Sequence, residues 1–525
     1  MSARDDFDLE EFVPDESALG RKDFLLNTAG LAAAAAAAGP FFLATKQANA
    51  AELASTQGVN PARIAVDAAK QFKGTEIKMT YEAGLQALDP KNFAGPMFEK
   101  LTGVKSNVIE LDHASQFSKV IAEHISRSGA YDILDIEPAW VPSMVDGGVI
   151  EPLDPYIRKY RNRSAVQDLH PLYRALGTYK GRTYGFFDDG DVFALYYRKD
   201  IFNDPKLKRA YRAKFKRAMR VPRAWEEYSE TAQFITDQMA PKVYGTAAFR
   251  KLNGPGNHFS FLQQFRSNGG QLFNASTMKC TISSAAGVKT LRQMLAQNKA
   301  SLKGTEQLDA VAVWAAWLQG KVAMIYSWPP TGRMSENYSQ RDKSFSFIPK
   351  SSIVGKTGYT IMPGKNGEHA SGYVKALSAD SKNKDAAYLF MQWVTSPEIS
   401  LQRVTLPYAL RDPYRISHFR SPQYRKLWPG AKDYLSTLND AANNAVLDLI
   451  MPGWQDYAVT LDRMCTAVWS GADPKAELDK AAADWDRTTQ KLGEDKQRAA
   501  YGQFLKLPGS TARNTIAAQG KSVRI

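Results

Sequence analysis

Cysteine is nearly absent from this chain of 525 residues, which contains only Cys280 and Cys465. Two cysteines exclude a scaffold held together by several disulfides and any metal site built from several thiolates. The two positions are far apart in the sequence and have ordinary apolar surroundings. We therefore expect two unreactive, buried thiols, although pairing in an oxidising compartment stays open.

Motifs for common catalytic chemistry are also missing. The chain has no H-E-x-x-H, no G-x-S-x-G and no Cys/His cluster. Gly355-Lys356-Thr357 resembles the end of a phosphate-binding loop, but Lys350 stands where that motif needs its first glycine. We expect no metal and no cofactor, because the six histidines are scattered: His113, His124, His170, His258, His369 and His418.

Two acidic pairs, Asp188/Asp189 and Asp135/Glu137, have two interpretations. Paired carboxylates can perform glycoside hydrolysis. They can equally accept hydrogen bonds from sugar hydroxyls without any reaction. Their spacing in the sequence does not separate a secreted glycan-active enzyme from a sugar-binding protein.

The first 50 residues have the pattern of an export signal. A polar, acidic leader precedes Gly20-Arg21-Lys22, an apolar stretch runs through Leu43, and Ala48-Asn49-Ala50 supplies the small residues that signal peptidase recognises. The basic pair resembles a twin-arginine (Tat) signal with lysine in second place, and Sec export stays open. We predict cleavage after Ala50 and a soluble periplasmic protein, because the polar, Gly- and Pro-containing stretch would make a poor membrane anchor.

Positive charge is in excess after this leader. The whole chain carries +14, and its first 50 residues contribute four Lys/Arg against eight Asp/Glu, or −4, which leaves +18 for the rest. This balance permits an acidic partner or an anionic solute. Nine basic residues lie within 206–223, where Tyr211, Phe215 and Met219 form one apolar stripe. That pattern favours an amphipathic helix with a solvated basic face over a nucleic-acid or membrane surface.

Short apolar runs alternate with helical patterns over most of the chain. Strands are predicted at 75–80, 106–111, 131–136, 183–187, 192–197 and 318–326. Helices are predicted at 93–101, 117–126, 386–394, 440–450, 457–469 and 475–490. This alternation predicts an α/β fold with parallel units and a helical C-terminal segment.

Five ordered segments resemble the family-1 extracellular solute-binding proteins of ABC importers, the carbohydrate-type, maltose-binding-protein-like group. The most specific is Ser371-Gly-Tyr-Val-Lys-Ala-Leu-Ser378 with the helix that follows, through Pro397-Glu398. Another, Trp317-Leu-Gln-Gly-Lys-Val-Ala-Met-Ile325, is similar to a strand of that family. The others lie at 131–154, at 184–202 with 221–228, and at 450–454 with 469–479.

The resemblance implies a two-lobed, type II periplasmic-binding-protein-like fold with three hinge crossings. On this basis residues 1–50 are the signal and 51–73 a leader. Residues 74–188 and 326–380 form the N-terminal lobe, 189–325 and 381–495 form the C-terminal lobe, and 496–525 form a peripheral tail. The lobes would close by hinge bending around a small polar solute, a sugar or polyol, for an ABC permease and ATPase.

Ligand-binding residues follow from the same resemblance, since such folds bind ligands in loops at the carboxyl ends of strands. The protein is expected to act as a monomer, without nucleic acid and without catalysis. The alternatives are the same fold with an anionic solute, and a secreted glycan-active enzyme. The candidates are Tyr81, Glu82, Asp112, His113, Glu137, Trp140, Asp191, His258, Trp328, Gly372, Tyr373 and Trp454.

Overall fold

The computed structural model describes residues 60–364 and 368–525. The predicted signal at 1–50 and residues 51–59 of the predicted leader lie outside the described residues. Residues 60–525 form one compact unit. In the described part, no helix combines the length and the apolar character that a membrane crossing requires.

The strands of the described residues are short and come in two main sheets and two small pairs. In chain order they are β1 Glu76–Glu82, β2 Lys105–Leu111, β3 Ile133–Ile136, β4 Ile150–Glu151, β5 Thr178–Tyr179, β6 Arg182–Thr183, β7 Gly185–Asp189, β8 Ala194–Arg198, β9 Tyr244–Thr246, β10 Val322–Ser327, β11 Thr357–Thr360, β12 His369–Ala370, β13 Tyr373–Ser378 and β14 Val446–Leu447.

Helices cover the outer surfaces of both main sheets. In chain order they are α1 Pro61–Ala69, α2 Gly95–Thr102, α3 His113–Ser126, α4 Val141–Asp146, α5 Asp154–Lys159, α6 Arg163–Gln167, α7 Pro171–Leu176, α8 Lys199–Asn203, α9 Pro205–Phe215, α10 Trp225–Met239, α11 Gly256–Ser267, α12 Ala285–Lys299, α13 Ala310–Leu318, α14 Pro330–Ser335, α15 Lys384–Val394, α16 Pro397–Thr405, α17 Ile416–Arg420, α18 Ala431–Asn444, α19 Trp454–Trp469, α20 Pro474–Leu492 and α21 Glu494–Phe504.

Sheet 1 has the order β2-β1-β3-β13-β4, and β7 also pairs with β13. Its first three strands are parallel, and β13 runs antiparallel to β3. Strands of a parallel sheet have continuous apolar sequences because helices cover both faces of the sheet. Accordingly β3 is fully buried, and the predicted strands at 75–80, 106–111 and 131–136 are confirmed to within two residues.

Sheet 2 has the order β11-β8-β10-β9. Its central pair, β8 and β10, is antiparallel, and β9 lies parallel to β10. All six residues of β10 are buried, which explains the apolar run that predicts this strand.

The predicted lobe boundaries are wrong at two places. Strand β11 pairs with β8 in sheet 2, although residues 326–380 were assigned together with sheet 1. Helix α15 packs its buried face on the α1 and β1 side of sheet 1, although residues 381–495 were assigned to the other lobe. Local patterns show where strands lie but not which distant strand each one pairs with.

Residues 191–193 lie between β7 of sheet 1 and β8 of sheet 2, and residues 369–371 lie between β11 and β13. Together with residues 446–447 they form what we name the connecting ribbon. Val192 pairs with Ala370 in an antiparallel bridge, and β12 lies parallel to β14. The predicted helix at 440–450 is therefore wrong at its end, since α18 stops at Asn444 and β14 follows.

The C-terminal residues pack against the body instead of forming a peripheral tail. Tyr501 and Phe504 of α21 are buried, and the backbone oxygen of Gly509 accepts a hydrogen bond from Leu447 N at 3.0 Å. Helix α1, which lies within the predicted leader, likewise belongs to the core, because Ala65 and Ala69 are fully buried. Both expectations failed because a polar, alanine-rich pattern does not show that one face is covered.

The basic segment at 206–223 is a helix only over α9, with Tyr211 buried and Phe215 beside it. Three of its cations form ion pairs with the neighbouring helix α10: Lys214 with Asp237, Arg217 with Glu230 and Arg220 with Glu227. The prediction of a solvated face held by an apolar stripe is confirmed. Cys280 and Cys465 are both free thiols.

Candidate functional site

Polar side chains of sheet 1 meet at the edge where its parallel strands end. Glu82 ends β1, His113 begins the helix after β2, and Glu137 follows β3. Tyr373 joins them because β13 runs antiparallel and therefore begins at this edge. Four of the predicted site residues thus lie together, as the chain order of strands and loops requires.

His113 lies between two carboxylates. Its Nδ1 is 3.6 Å from Glu82 Oε2, and its Nε2 is 3.6 Å from Glu137 Oε1. Burial opposes protonation of this imidazole, but the two carboxylates outweigh it and raise the pKa of His113 to about 9. His113 is therefore a cation at neutral pH.

Glu137 is the most enclosed carboxyl group of this edge, with 8% of its surface exposed. Burial raises its pKa to about 7, against the opposing charge of His113 and with help from Asp448. Glu82 behaves differently: burial alone would raise its pKa, but His113 and the hydroxyl of Tyr373, which donates to it, hold the pKa below its usual value. Beside them, the buried Nε1 of Trp140 has no hydrogen-bond partner.

The opposing edge, on sheet 2, is aromatic. Trp328, directly after β10, lies 4.9 Å from Phe193 and 4.8 Å from Phe249 between ring centroids. Nearby, the ring of His258 in α11 lies 5.5 Å from that of Trp454 at the start of α19. Burial lowers the pKa of His258 to about 3, so it is neutral. These three predicted residues form one wall.

The two edges lie close to each other, and we name the region between them the cleft. The charge of His113 acts on His258, and that of Asp448 acts on both His258 and Glu137. Gly453 N also donates to Ser143 Oγ at 3.2 Å, which joins α19 to the sheet 1 side. The cleft thus consists of acids and imidazoles on one side and aromatic rings on the other.

His369 and Asp448, which sequence reasoning missed, lie on and beside the connecting ribbon at the base of the cleft. His369 Nε2 is 3.3 Å from Asp448 Oδ1, outside hydrogen-bond geometry, and its ring lies 4.2 Å from that of Phe259. Both side chains are more than nine-tenths buried. Asp448 was not predicted as a site residue because its segment was predicted as a helix. His369 was not predicted because it is one of six histidines scattered along the sequence.

Asp191 belongs to a group of three carboxyls at the ribbon. Oxygens of Asp189, Asp191 and Asp412 lie within 4.8 Å of one another. Burial and the neighbouring carboxylates raise the pKa of Asp189 to about 8 and that of Asp191 well above its usual value. Burial raises the pKa of Asp412 to about 6, against the charges of Arg333 and Arg411. A shared proton therefore accounts for their close approach.

Beneath the cleft lies a buried ion network. Lys375 Nζ is 3.1 Å from Asp135 and 2.9 Å from Asp188. The other members are Asp89, Arg403 and Arg411. Tyr81, predicted to face a ligand, is fully buried and accepts a hydrogen bond from Lys375. Neighbouring strand residues point to opposite faces, so Glu82 faces the cleft and Tyr81 supports it from below.

Two other residues predicted to bind the ligand, Asp112 and Gly372, have roles in the backbone structure. Asp112 caps α3, since its carboxylate accepts from Ala114 N at 3.1 Å, and it is exposed. Gly372 has φ +106°, and a Cβ on it would lie 1.9 Å from the backbone oxygen of Asp189. Gly372 therefore lets the connecting ribbon and β7 approach closely.

We expect Glu137→Gln to stabilise the ligand-free protein by an amount that grows between pH 4.5 and pH 7. The wild-type carboxyl has a pKa of about 7 in the fold against 4.5 unfolded. The stabilisation from the protonated carboxyl is fully present below pH 4.5 and is lost as the pH rises through 7. The loss lowers the free energy of unfolding by up to about 3 kcal/mol. Urea unfolding of both proteins between pH 5 and 8 measures the difference.

The exposed Glu99 provides the control, because Glu99→Gln removes the same charge from the surface. A stability difference for Glu137→Gln that stays constant with pH would contradict the placement of this carboxyl.

Comparison with known families places the chain among binding proteins. Residues 78–400 match the model of the family described as bacterial extracellular solute-binding protein. That range is more than half of the chain, and it contains both main sheets and the sheet 1 edge of the cleft.

Individual relatives are distant. A probable amino-acid ABC transporter periplasmic-binding protein of Sinorhizobium fredii is 22% identical over 385 residues, 70% of this chain and 79% of that protein. An erythritol/L-threitol-binding protein of Mycolicibacterium smegmatis is 21% identical over 413 residues, 73% and 79% of the two chains. The structure of an ABC transporter solute-binding protein of Agrobacterium radiobacter in complex with ribitol has a TM-score of 0.66 at 22% identity, over 79% of this chain and 99% of that one.

Proposed function

Since the chain belongs to the family of bacterial extracellular solute-binding proteins, we propose that its cleft captures a sugar or polyol for an ABC importer. Two lobes, one on each main sheet, would close on the solute through three chain crossings. The connecting ribbon would be the hinge. Family membership supports capture of a solute, rather than its turnover, as the role of the acidic residues of the cleft.

One observation carries the proposal: buried hydrogen-bonding atoms converge on the cleft without partners. They are Nε1 of Trp140 and Nδ1 of His369, together with Oδ1 of Asp448 and Nε2 of His369, which lie 3.3 Å apart without hydrogen-bond geometry. Buried polar groups without partners are costly, so such atoms mark a place where another molecule supplies the hydrogen bonds. Sugar hydroxyls both donate and accept, and the rings of Trp328 and Trp454 fit the apolar faces of a sugar.

Among the similar proteins, one binds ribitol and another is named for erythritol and L-threitol, which supports a polyol or sugar as the solute. An anionic solute is less well supported. Within the described residues, the ion pairs of Glu82, Glu137 and Asp448 are all formed with histidines. An acidic cleft repels a phosphate or carboxylate group.

Delivery would occur in the periplasm, after export through the signal predicted at residues 1–50. A twin-arginine route fits Arg21-Lys22 in that segment. An inner-membrane permease with its ATPase would then receive the solute from the closed form.

We expect thermal-shift screening of the full chain to find a sugar or polyol that raises the unfolding midpoint, because a ligand that binds only the fold stabilises it. Ribitol, erythritol, common aldoses and disaccharides are the probes, and sugar phosphates are the anionic comparison. Asp448→Asn should weaken binding of the same solute by about tenfold or more, the cost of a charge-assisted hydrogen bond.

Glu99→Gln is the matched control and should bind as the wild type does. If only sugar phosphates raise the midpoint, the solute is anionic. If the protein cleaves a glycan instead of binding it stoichiometrically, the receptor function is wrong.

A further inference from the structure

The cleft holds more carboxyl groups than cations. Three carboxyls lie beside it, from Glu82, Glu137 and Asp448, together with the imidazoles of His113, His258 and His369. Of these imidazoles, His113 is protonated and His258 is neutral at pH 7. In the described part of the chain, no lysine or arginine forms an ion pair with Glu137 or Asp448.

The lysine and three of the arginines near the cleft already have carboxylate partners. Arg266 of α11 is different: its charge acts on Asp448, and it donates to the backbone oxygen of Leu447. Lys375, Arg403 and Arg411 are fully buried beneath the cleft and are bound to Asp89, Asp135 and Asp188, while Arg333 pairs with Asp412 at 3.0 Å. Since each of them neutralises an aspartate, none can turn toward the cleft without leaving that aspartate uncompensated.

A proton substitutes for a missing cation in the ligand-free cleft. The pKa of Glu137 is about 7 although His113 lies 3.6 Å away, because burial and the charges of Asp448 and Glu82 act against ionisation. The titratable groups that act on the Glu137 carboxyl are His113 from α3, Glu82 from β1 and Asp448 beside the connecting ribbon. The charge of Glu137 in turn acts on the hydroxyl of Tyr373 from β13. A bound cation would make the ionised form favourable.

We propose that the solute is a sugar or polyol that carries a protonated amine, held between the Glu137 side of the cleft and Asp448. This inference rests on the proposed receptor function and narrows it to amino sugars and amino alditols. An ammonium group donates three hydrogen bonds and neutralises carboxylates that a hydroxyl can only contact.

A metal ion fits this place less well than an ammonium group. Within the described residues, the three carboxyls whose oxygens lie within 4.8 Å of one another are Asp189, Asp191 and Asp412, and neither Glu137 nor Asp448 is among them. A metal ion needs several oxygen ligands at about 2.0–2.6 Å. An ammonium group can instead reach separate acceptors at about 2.8 Å each.

Isothermal titration with two matched pairs of probes tests this inference on the full chain. The pairs are glucosamine with glucose, and 1-amino-1-deoxysorbitol with sorbitol, which differ by one amine in place of a hydroxyl. We expect an amine to bind at least tenfold more tightly than its neutral partner at pH 7.5. The advantage should shrink at pH 5.5, where Glu137 is protonated. Binding at pH 6.5 should release protons, seen by comparing phosphate and ACES buffers.

The variants separate this role from a structural one. Glu137→Gln should remove the proton release and most of the amine preference, whereas Glu99→Gln should keep both. A neutral partner that binds as tightly as its amine, with no proton release, would overturn the inference and leave the receptor function intact. Absence of binding by all four probes, and by every sugar and polyol in the thermal screen, would overturn both.

Discussion

Lys375→Met should lower the free energy of unfolding by about 3–5 kcal/mol, the usual cost of removing one partner from a buried ion pair. Lys375 has no exposed surface, and its ammonium contacts Asp135, Asp188 and the hydroxyl of Tyr81. Methionine retains the shape of the side chain but removes the nearest cation of Asp135 and one of the cations around Asp188.

Urea unfolding followed by tryptophan fluorescence measures this loss, and Lys475→Met is the control. Lys475 pairs with Asp479 one helical turn away, and both side chains are more than half exposed. Such surface pairs contribute about 0.3–0.5 kcal/mol. Equal losses in the two variants would mean that Lys375 does not balance the buried acids.

Gly372→Ala should cost about 3 kcal/mol and also weaken solute binding. A left-handed backbone alone costs an alanine about 1–2 kcal/mol. Here the new Cβ would also meet the backbone oxygen of Asp189 at 1.9 Å, which forces β7 away from the connecting ribbon. Tyr373 and Asp191 flank this contact, so the cleft would change with it.

Gly74→Ala separates the two causes. Gly74 has φ +90°, but a Cβ there would have nothing within 4 Å. It should therefore show the backbone cost without the clash, and without any change in solute affinity. Equal effects of the two substitutions on unfolding and binding would contradict a close approach at Gly372.

The sequence predicts the edge of sheet 1 well, because the evidence is local. A buried strand followed by a polar loop is visible in the residues themselves, and parallel strands bring such loops to one edge. Glu82, His113 and Glu137 were placed at one edge in this way, and the structure brings them together there. Tyr81 was misplaced by one position, since the pattern locates the end of a strand more precisely than the direction of each side chain.

Pairings between distant segments could not be predicted. The apolar residues of α18 continue into Val446 and Leu447, so a longer helix is the natural prediction for that segment. The partner that makes it a strand, His369–Ala370, lies more than 70 residues earlier. Asp448 and His369 were missed for this reason, and with them the base of the cleft.

The position of β13 has a consequence for synthesis of the chain. It lies between β3 on one side and β4 and β7 on the other, yet β7 ends at Asp189 and β13 ends at Ser378, 189 residues later. At roughly 5–20 residues per second, the ribosome takes about 10–40 s to deliver the missing strand. During that interval the backbone groups of the strand edge at the middle of the sheet are unpaired in the nascent chain. Chaperones can bind this open edge.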